Sequence, residues 1–191
     1  MKLHQTDPSL LHSKPHGFTL IEVMVSLAIL GLLAALGAPS FSDSIRRFRV
    51  KGISDDLMAS IQLARVEAIR RGRPVALIRE LASSSCSNPL LDSDTWSCGW
   101  RIVEDTNANG SISAAERNNP IQTTTVPRGY GVVHPGLGNQ MVFGVWGQAV
   151  GVGQRFVITN TADGIGGVAT LTICLNAGNR LRTIKEESTC L

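Results

Sequence analysis

The chain has 191 residues, of which 43% are hydrophobic and 17% are charged, a composition that supports one globular domain with a modest core plus an additional element. Its formal net charge at pH 7 is only +3, so nucleic-acid binding would require a local basic patch rather than a global basic field. The sequence contains no nucleophile motif, phosphate-binding glycine loop or paired catalytic carboxylates. We therefore expect no enzyme and no cofactor, apart from the calcium ion considered below.

The N-terminal part contains an apolar segment, residues 18–38, whose single charged side chain is Glu22. A helix of this length extends about 31 Å, which is enough to cross a bilayer. Basic residues flank both ends of the segment and leave its orientation open. A secretory signal peptide, cleaved near residues 35–38, is the alternative. A carboxylate at this depth costs about 3 kcal/mol, which favours a specific partner for Glu22 over a stray charge in a generic anchor.

The residues Gly17-Phe18-Thr19-Leu20-Ile21-Glu22 resemble the prepilin peptidase motif of type IV pilins and type II secretion pseudopilins. The resemblance implies that prepilin peptidase removes a leader, residues 1–17, by cleavage after Gly17 and that the new N-terminal Phe18 is N-methylated. It also implies an assembly role for Glu22 and for a helix-bending Pro39. Cleavage creates an ammonium group at Phe18. Glu22 of another subunit can pair with it inside the apolar filament, which fixes the register of the helices.

Beyond the apolar segment, the sequence predicts a helical continuation followed by strands. Apolar residues at steps of three to five form a helical stripe at Ile45, Phe48, Ile53, Leu57, Ile61, Ala64 and Ala68. Gly72 and Pro74 end this pattern, so we expect one helix over residues 19–71, bent near Pro39. Strand-like segments follow at 75–81, 100–104, 121–126, 131–134, 141–145, 155–159, 168–175 and 180–185, without a further helix. The expected fold class is α+β, with the long helix packed on an antiparallel β-sheet head.

Two further segments resemble the GspH/FimT family of minor pilins and pseudopilins. They are residues 63–75, which close the long helix, and Trp96-x-x-Gly99-Trp100, which enters a strand. The acidic loop that begins Glu104-Asp105 is a third match. The resemblance implies a leader at 1–17, a transmembrane and filament helix at 18–39, its amphipathic continuation at 40–73 and a periplasmic β-rich domain at 74–191. It also implies a single-pass inner-membrane precursor that joins a pilus or pseudopilus with other major and minor pilins or pseudopilins.

The four cysteines, Cys86, Cys98, Cys174 and Cys190, match no zinc or redox spacing. An even number on the outer side of a membrane segment favours two disulfides in an oxidising periplasm over four unpaired buried thiols. Three pairings are possible. We predict Cys86–Cys98 and Cys174–Cys190, because each of these pairs closes a short local loop.

Residues 105–116, which we call the calcium-like loop, fit the pattern D-x-[DN]-x-[DN]-G-x5-E. The residues that would offer oxygens to calcium are Asp105, Asn107, Asn109, Ser111 and Glu116. Only two of them are charged and no helices are expected beside the loop, so the affinity for calcium would be low. An Asx-rich turn without metal gives the same pattern. We favour that interpretation and retain a weak calcium site as the alternative.

The stretch Gly178-Asn179-Arg180-Leu181-Arg182-Thr183-Ile184-Lys185 resembles the Gly-Arg-x-Arg segment of FimT-type pilins that bind DNA during natural transformation, although Asn179 stands between the glycine and Arg180. The resemblance implies that Arg180, Arg182 and Lys185 contact double-stranded DNA. Period-two spacing places Arg180 and Arg182 on one strand face. Phosphate contacts there would be independent of base sequence and sensitive to salt. The alternative is an edge strand whose charges prevent unwanted pairing.

The remaining features favour structural roles. The cluster Arg70-Arg71-Gly72-Arg73 lies at a helix C-terminus, where cations complement the helix dipole. We expect Trp96, Trp100 and Trp146 to pack in the core or on the disulfides, and His134 lacks an acid–base or metal partner in the sequence pattern. Three functions stay open: an initiation or tip subunit of a type IV pilus, a type II secretion pseudopilin, and a pilus-borne DNA receptor.

Overall fold

A computed structural model describes residues 17–81, 86, 95–136, 138–151, 153–176, 178–185 and 190. Within the long helix, the side chains of residues 36–40 lie outside this description. The predicted leader is therefore outside the described residues, except for Gly17. The chain divides into two compact units, Met1–Phe41 and Ser42–Leu191.

The long helix α1 extends over Leu20–Arg71 and confirms the helix predicted for residues 19–71. Its last turn carries Arg70 and Arg71, which complement the helix dipole. Gly72 follows with a φ of 62°, a left-handed conformation that glycine adopts without steric cost and that ends the helix. The predicted bend at Pro39 falls among the side chains that are not described and stays a prediction.

In the first unit, the large apolar side chains that the structure describes are exposed: Phe18, Leu20, Ile21, Val23, Met24, Val25, Leu27, Ile29, Leu30, Leu32, Leu33 and Phe41. Within the described part of the chain, no helix has the length and hydropathy needed to cross a membrane. The predicted transmembrane span, residues 18–39, includes side chains that lie outside the description.

The described part of the second unit forms two antiparallel sheets of four strands each. The strands are β1 (Val75–Arg79), β2 (Trp100–Glu104), β3 (Gln122–Thr124), β4 (Tyr130–Val133), β5 (Gln140–Phe143), β6 (Gln154–Asn160), β7 (Leu171–Leu175) and β8 (Leu181–Lys185). The first sheet has the order β3-β2-β1-β5 and the second has the order β4-β6-β7-β8. Each strand overlaps one of the predicted segments. The predicted α+β head of antiparallel strands is therefore confirmed.

The C-terminal part of α1 supplies one side of the core. Its fully or nearly buried apolar side chains are Val50, Ile53, Leu57, Ile61, Ala64 and Ala68. They pack in one cluster with residues of both sheets, such as Leu77 of β1 and Ile173 of β7. The predicted stripe was wrong at its first two positions, because Ile45 is exposed and Phe48 is 75% exposed. A helical period identifies a face of the helix, but it does not show where the sheets begin to cover that face.

A four-residue helix, α2 (Ala114–Arg117), interrupts the connection between β2 and β3. No helix after α1 was predicted from the sequence, so α2 is an addition to the predicted elements. Ser113 caps α2, and the side chain of Glu116 bonds back to the backbone of Ser113 in a reciprocal capping box. One turn is too short to show a helical period, so only the spacing of this serine and this glutamate could have indicated it.

Candidate functional site

The N-terminal segment places Glu22 in the first turn of α1. The hydroxyl of Thr19 accepts a hydrogen bond from the backbone N–H of Glu22 (3.3 Å), and the carboxylate of Glu22 accepts one from the backbone N–H of Thr19 (3.5 Å). This reciprocal pair satisfies N–H groups that the first turn leaves without helical partners. Glu22 therefore helps to start the helix. This role was not predicted from the sequence, although the spacing Thr-x-x-Glu is its usual signal.

Glu22 is surrounded by exposed apolar side chains, including those of Leu20, Ile21 and Val23. A single carboxylate on an apolar helical surface can bind a cationic group of a second apolar helix. Such a pair, removed from water, contributes more to the register of the two helices than to their affinity. This segment is the first candidate site.

A second candidate site is a cavity of about 670 Å³ on the second sheet, which we call the arginine cleft. Its lining includes Arg155 of β6, Arg182 of β8 and Arg180, which directly precedes β8. The disulfide partners Cys174 and Cys190 also line it. Arg180 and Arg182 thus face one cavity, as the period-two spacing predicted.

Strand register explains how the arginine cleft forms. Cys174 of β7 pairs with Arg155 on one side and with Arg182 on the other. Paired residues on neighbouring strands share a face of the sheet, so these three side chains form a row. The next residue of β7, Leu175, belongs to the buried core on the opposite face. Arg155 was not predicted from the sequence, because only the pairing of β6, β7 and β8 brings it into one row with Arg182.

The turn before β8 positions Arg180. The side-chain oxygen of Asn176 accepts a hydrogen bond from the backbone N–H of Arg180 (2.9 Å), and the backbone N–H of Asn176 donates to the carbonyl of Arg180 (3.2 Å). Between them, Asn179 has a φ of 63°. Asparagine adopts this left-handed conformation more readily than most residues. Asn179 therefore provides the backbone geometry that a glycine next to Arg180 would otherwise provide.

Lys185 does not line the arginine cleft. It lies three positions beyond Arg182 on β8, and residues an odd number of positions apart project from opposite faces of a strand. Lys185 instead lines a cavity of about 270 Å³ together with Arg47 and Lys51 of α1. The predicted grouping of Lys185 with Arg180 and Arg182 was wrong for this reason.

The first half of the calcium-like loop is held by its own backbone. The buried carboxylate of Asp105 accepts hydrogen bonds from the N–H groups of Asn109 (3.3 Å) and Gly110 (2.7 Å). The side-chain oxygen of Asn107 accepts from the N–H of Asn109 (3.0 Å), and that of Asn109 accepts from the N–H of Ser111 (2.8 Å). These are Asx turns, in agreement with the favoured interpretation of the loop.

Glu116 closes the second half of the calcium-like loop. One carboxylate oxygen accepts from the N–H (2.8 Å) and hydroxyl (2.7 Å) of Thr106, and the other accepts from the N–H (2.8 Å) and hydroxyl (2.7 Å) of Ser113. These hydrogen bonds, led by that from the Thr106 hydroxyl, lower the pKa of Glu116 to about 2. No group of three or more His, Cys, Asp or Glu side chains suited to a metal occurs among the described residues. The weak calcium site stays an untested alternative to the metal-free turn.

The basic cluster at the end of α1 forms an ion-pair network. The carboxylate of Glu67 accepts hydrogen bonds from Arg70 (2.6 and 3.0 Å) and Arg71 (2.7 Å). The bond from Arg70, followed by that from Arg71, lowers the pKa of Glu67 to about 2. Arg71 also pairs with Glu104 of β2, and Arg73 donates to the backbone of the calcium-like loop. These contacts give the cluster the structural role that was predicted for it.

Two of the three tryptophans confirm the prediction of core packing. Trp96 is buried and meets the rings of His134 and Phe156 edge-on at 5.3 Å. Trp100 is buried, and its indole N–H donates to the hydroxyl of Ser60 at 2.9 Å. His134 is therefore a buried member of an aromatic cluster.

Trp146 contradicts the prediction of core packing, because it is 84% exposed. It lies in the turn that follows β5, between Gly144 and Gly147. Side chains at the centre of such a turn project away from the sheet, whereas the prediction assumed that the strand continued through Val145. The aromatic side chain is left on the surface.

Both predicted disulfides are confirmed: Cys86 pairs with Cys98, and Cys174 pairs with Cys190. Cys98 lies two residues before the start of β2 and is buried. Cys174 belongs to β7, so the second disulfide fixes residue 190 beside the arginine cleft.

Comparison with known proteins adds two matches to protein families. The family described as type II transport protein GspH matches residues 54–184, and the prokaryotic N-terminal methylation motif matches residues 12–38. The type IV major alpha-pilin of Moraxella bovis is 35% identical over 79 residues, which are 41% of this chain and 49% of that protein. The type IV major fimbrial protein FimA of Dichelobacter nodosus is 31% identical over 85 residues, 44% of this chain and 45% of that protein. The chain thus spans about half the length of these curated relatives.

A solved structure shares the fold. The type IV minor pilin FimU of Pseudomonas aeruginosa matches with a TM-score of 0.54 at 19% identity, over 73% of this chain and 91% of that chain. The N-terminal helix packed on antiparallel sheets is therefore a pilin-like fold. Because the GspH family model covers well over half of the sequence, the protein belongs to the GspH family of type IV minor pilins and type II secretion pseudopilins.

Proposed function

We propose that prepilin peptidase cuts this chain after Gly17 and that the mature subunit joins a type IV pilus or a type II secretion pseudopilus as an initiation or tip subunit. The observation that carries this proposal is the carboxylate of Glu22 in the first turn of an exposed apolar helix. Cleavage creates an ammonium group at Phe18. When helices assemble, both charges leave water and each needs a partner. Pairing of Glu22 with Phe18 of another subunit provides that partner and sets the register.

The same segment supports a location in the inner membrane before assembly, with the β-rich unit in the periplasm. Exposed apolar side chains over residues 18–35 require lipid or a helical bundle around them. The two disulfides support an oxidising compartment on the outer side. The proposed partners of the chain are prepilin peptidase, the inner membrane, and other major and minor pilins or pseudopilins. The proposal includes N-methylation of Phe18 after cleavage.

Substitutions at two neighbouring residues test this proposal. Glu22→Val should be processed normally but should be absent from sheared filaments, because it removes the charge that pairs between subunits. Glu22 also caps its own helix, so Thr19→Ala is the matched control: it removes the capping hydroxyl and keeps the carboxylate. Mass spectrometry of the membrane and filament fractions measures both processing and incorporation. Normal incorporation of Glu22→Val, or equal loss with Thr19→Ala, would contradict the pairing.

A gene deletion distinguishes a role in a type IV pilus from a role in a type II secretion pseudopilus. Twitching motility, protein secretion and natural transformation are scored in the same deletion strain. Loss of twitching assigns the subunit to a pilus, and loss of secretion assigns it to a pseudopilus. Loss of transformation with normal twitching favours the second candidate function.

The second candidate is a pilus-borne subunit that binds DNA for natural transformation. The arginine cleft supports it, because Arg155, Arg180 and Arg182 line one cavity. Guanidinium groups bind phosphates through paired hydrogen bonds. Contacts of this kind are independent of base sequence and weaken as salt rises.

DNA binding is tested by removing positive charge at the arginine cleft and, as a control, from the opposite face of β8. The double variant Arg180→Ala/Arg182→Ala should weaken DNA retention and reduce the slope of log affinity against log salt by about 2. Lys185→Ala removes one positive charge from the opposite face of the same strand and should leave both quantities nearly unchanged. Arg155→Ala should reduce the slope by about 1. If Lys185→Ala and Arg155→Ala have equal effects, net charge rather than the arginine cleft governs retention.

A further inference from the structure

We propose that the cavity of about 270 Å³ lined by Arg47, Lys51 and Lys185 binds an anionic phospholipid of the membrane that holds the chain before assembly. We call this space the α1–β8 cavity. The proposal rests on the inner-membrane location proposed above. It assigns a ligand class to a site that neither helix pairing through Glu22 nor DNA binding by the arginine cleft uses.

Strand register brings Lys185 to the helix side of the second sheet. Lys185 is the last residue of β8 and pairs with Leu171, the first residue of β7. Side chains two positions apart share a face of a strand, and Ile173 of β7 belongs to the buried core that includes α1. Lys185 is therefore a cation on the face that packs on α1, at the edge of the core, where it remains exposed.

The described lining of the α1–β8 cavity contains three cationic side chains and no acidic one. Lys51 forms a salt bridge with Asp55, one turn further along α1, at 2.8 Å. Within the described part of the chain, Arg47 and Lys185 form no salt bridge. These two cations thus supply the charge available to an anionic ligand.

The rest of the lining is largely apolar and open to solvent. Phe48 of α1 is 75% exposed, and Val168, which precedes β7, is 50% exposed. Ala169 and Leu171 also line the cavity. Apolar surface beside unpaired cations is stabilised by a ligand that covers it with alkyl groups while its anionic group reaches the cations.

The wall formed by the segment before β7 is held in place without a ligand. The guanidinium of Arg46 donates to the carboxylate of Asp163 at 3.0 Å, which ties this segment to α1. The N–H of Thr170 donates to the carbonyl of Gly167 (2.9 Å), and its hydroxyl accepts from the N–H of Gly166 (3.2 Å). A ligand therefore enters a formed cavity and loses little affinity to ordering of the protein.

An anionic glycerophospholipid matches both parts of the lining. Its phosphate binds guanidinium and ammonium groups, and its acyl chain covers the apolar side chains. A nucleic acid offers phosphates without alkyl chains. The sequence also keeps the site close to lipid, because Arg47 is the ninth residue after Ala38, the end of the apolar segment. Basic residues that closely follow a membrane-embedded segment attract anionic lipids.

Native mass spectrometry of the full chain in detergent tests this proposal by counting bound lipids. The chain is titrated with phosphatidylglycerol and, separately, with phosphatidylcholine of the same acyl chains. One phosphatidylglycerol should be retained at concentrations where phosphatidylcholine is not. Arg47→Gln/Lys185→Gln should weaken its binding about thirtyfold, a factor of about five for each charge. Phe48→Ser should weaken it about tenfold, because the acyl chain loses an apolar contact.

A control variant and a competitor separate this site from general charge attraction and from a free-phosphate site. Arg49→Gln/Arg180→Gln also removes one charge from α1 and one beside β8, but neither residue belongs to the described lining of the α1–β8 cavity. Its retention of phosphatidylglycerol should be nearly unchanged. Glycerol phosphate, which has the anionic group without acyl chains, should not displace the lipid at equal concentration.

The outcomes distinguish failure of this site from failure of the location on which it rests. Equal retention of the two lipids, equal loss in both double variants, or displacement by glycerol phosphate overturns the lipid site, while recovery of the wild-type chain in the membrane fraction still supports the location. Absence of the wild-type chain from that fraction overturns both. If Arg47→Gln/Lys185→Gln retains lipid normally but is missing from filaments, the cavity docks a neighbouring subunit and the proposal is wrong.

Discussion

The two disulfides offer a matched pair of perturbations. Cys86–Cys98 and Cys174–Cys190 span 12 and 16 positions of the sequence. In the chain-entropy model, loops of these lengths stabilise a protein by about 2.8 and 3.1 kcal/mol. The double variants Cys86→Ala/Cys98→Ala and Cys174→Ala/Cys190→Ala should therefore lose nearly the same stability. For a chain of this size, each loss corresponds to a decrease in Tm of about 6 to 12 °C.

The two variants should differ in DNA retention. Cys174 lies between Arg155 and Arg182 in the row across three strands, and Cys190 lines the same cleft. Loss of this bond releases residue 190 from the cleft and should weaken DNA retention. Loss of Cys86–Cys98 leaves the cleft lining intact and should have little effect on retention at a temperature where the variant is folded.

Thermal unfolding followed by circular dichroism measures the first quantity, and filter retention of DNA at fixed salt measures the second. A difference in stability loss of more than about 2 kcal/mol would refute loop closure as the main source of stabilisation. Equal loss of DNA retention in both variants would show that the second disulfide acts through general stability and not through the cleft.

Four further predictions concern stability and metal binding. Glu67→Gln should lower the free energy of unfolding at pH 7 and make that free energy decline less steeply in acid. The pKa of Glu67 is about 2 in the folded chain against an ordinary 4.5. The stabilisation by Glu67 is therefore present above pH 4.5 and is lost as the pH falls to about 2. Gly99→Ala should lower the free energy of unfolding, measured in urea, by about 3 kcal/mol, since φ at Gly99 is 106° and the added Cβ would lie 2.0 Å from a backbone oxygen. In the control Gly164→Ala, φ is 71° and the added Cβ meets open space, so the loss should be about 1 kcal/mol. Ser113→Ala should cost about 1 kcal/mol through loss of a helix cap. Calorimetry with millimolar calcium should give no heat, because both oxygens of Glu116 already accept hydrogen bonds, and measurable heat would contradict this reasoning.

Local features of the chain were readable from the sequence. The cleavage and methylation motif, the helix over 19–71 and the eight strand segments depend on residues close together in the chain, and so do the two disulfides. Periodicity, turn residues and short loop closure each act over a few positions, so the sequence contains the information directly. The family was recognisable for the same reason, since its motifs are contiguous.

The sequence could not show which residues distant strands bring together. Arg155 and Arg182 lie on one face of the sheet because both pair with Cys174, and this depends on the register of three strands. Lys185 lies on the opposite face of β8 from Arg182, because side chains alternate between the two faces of a strand.

The apolar segment and Glu22 were determined by the sequence alone, because hydropathy and charge are properties of the residues themselves. Exposure is not such a property. Phe48 and Trp146 have side chains typical of a core, yet both remain exposed because the sheets of the second unit do not cover them. Burial depends on which elements pack over a residue, and only the tertiary structure decided that.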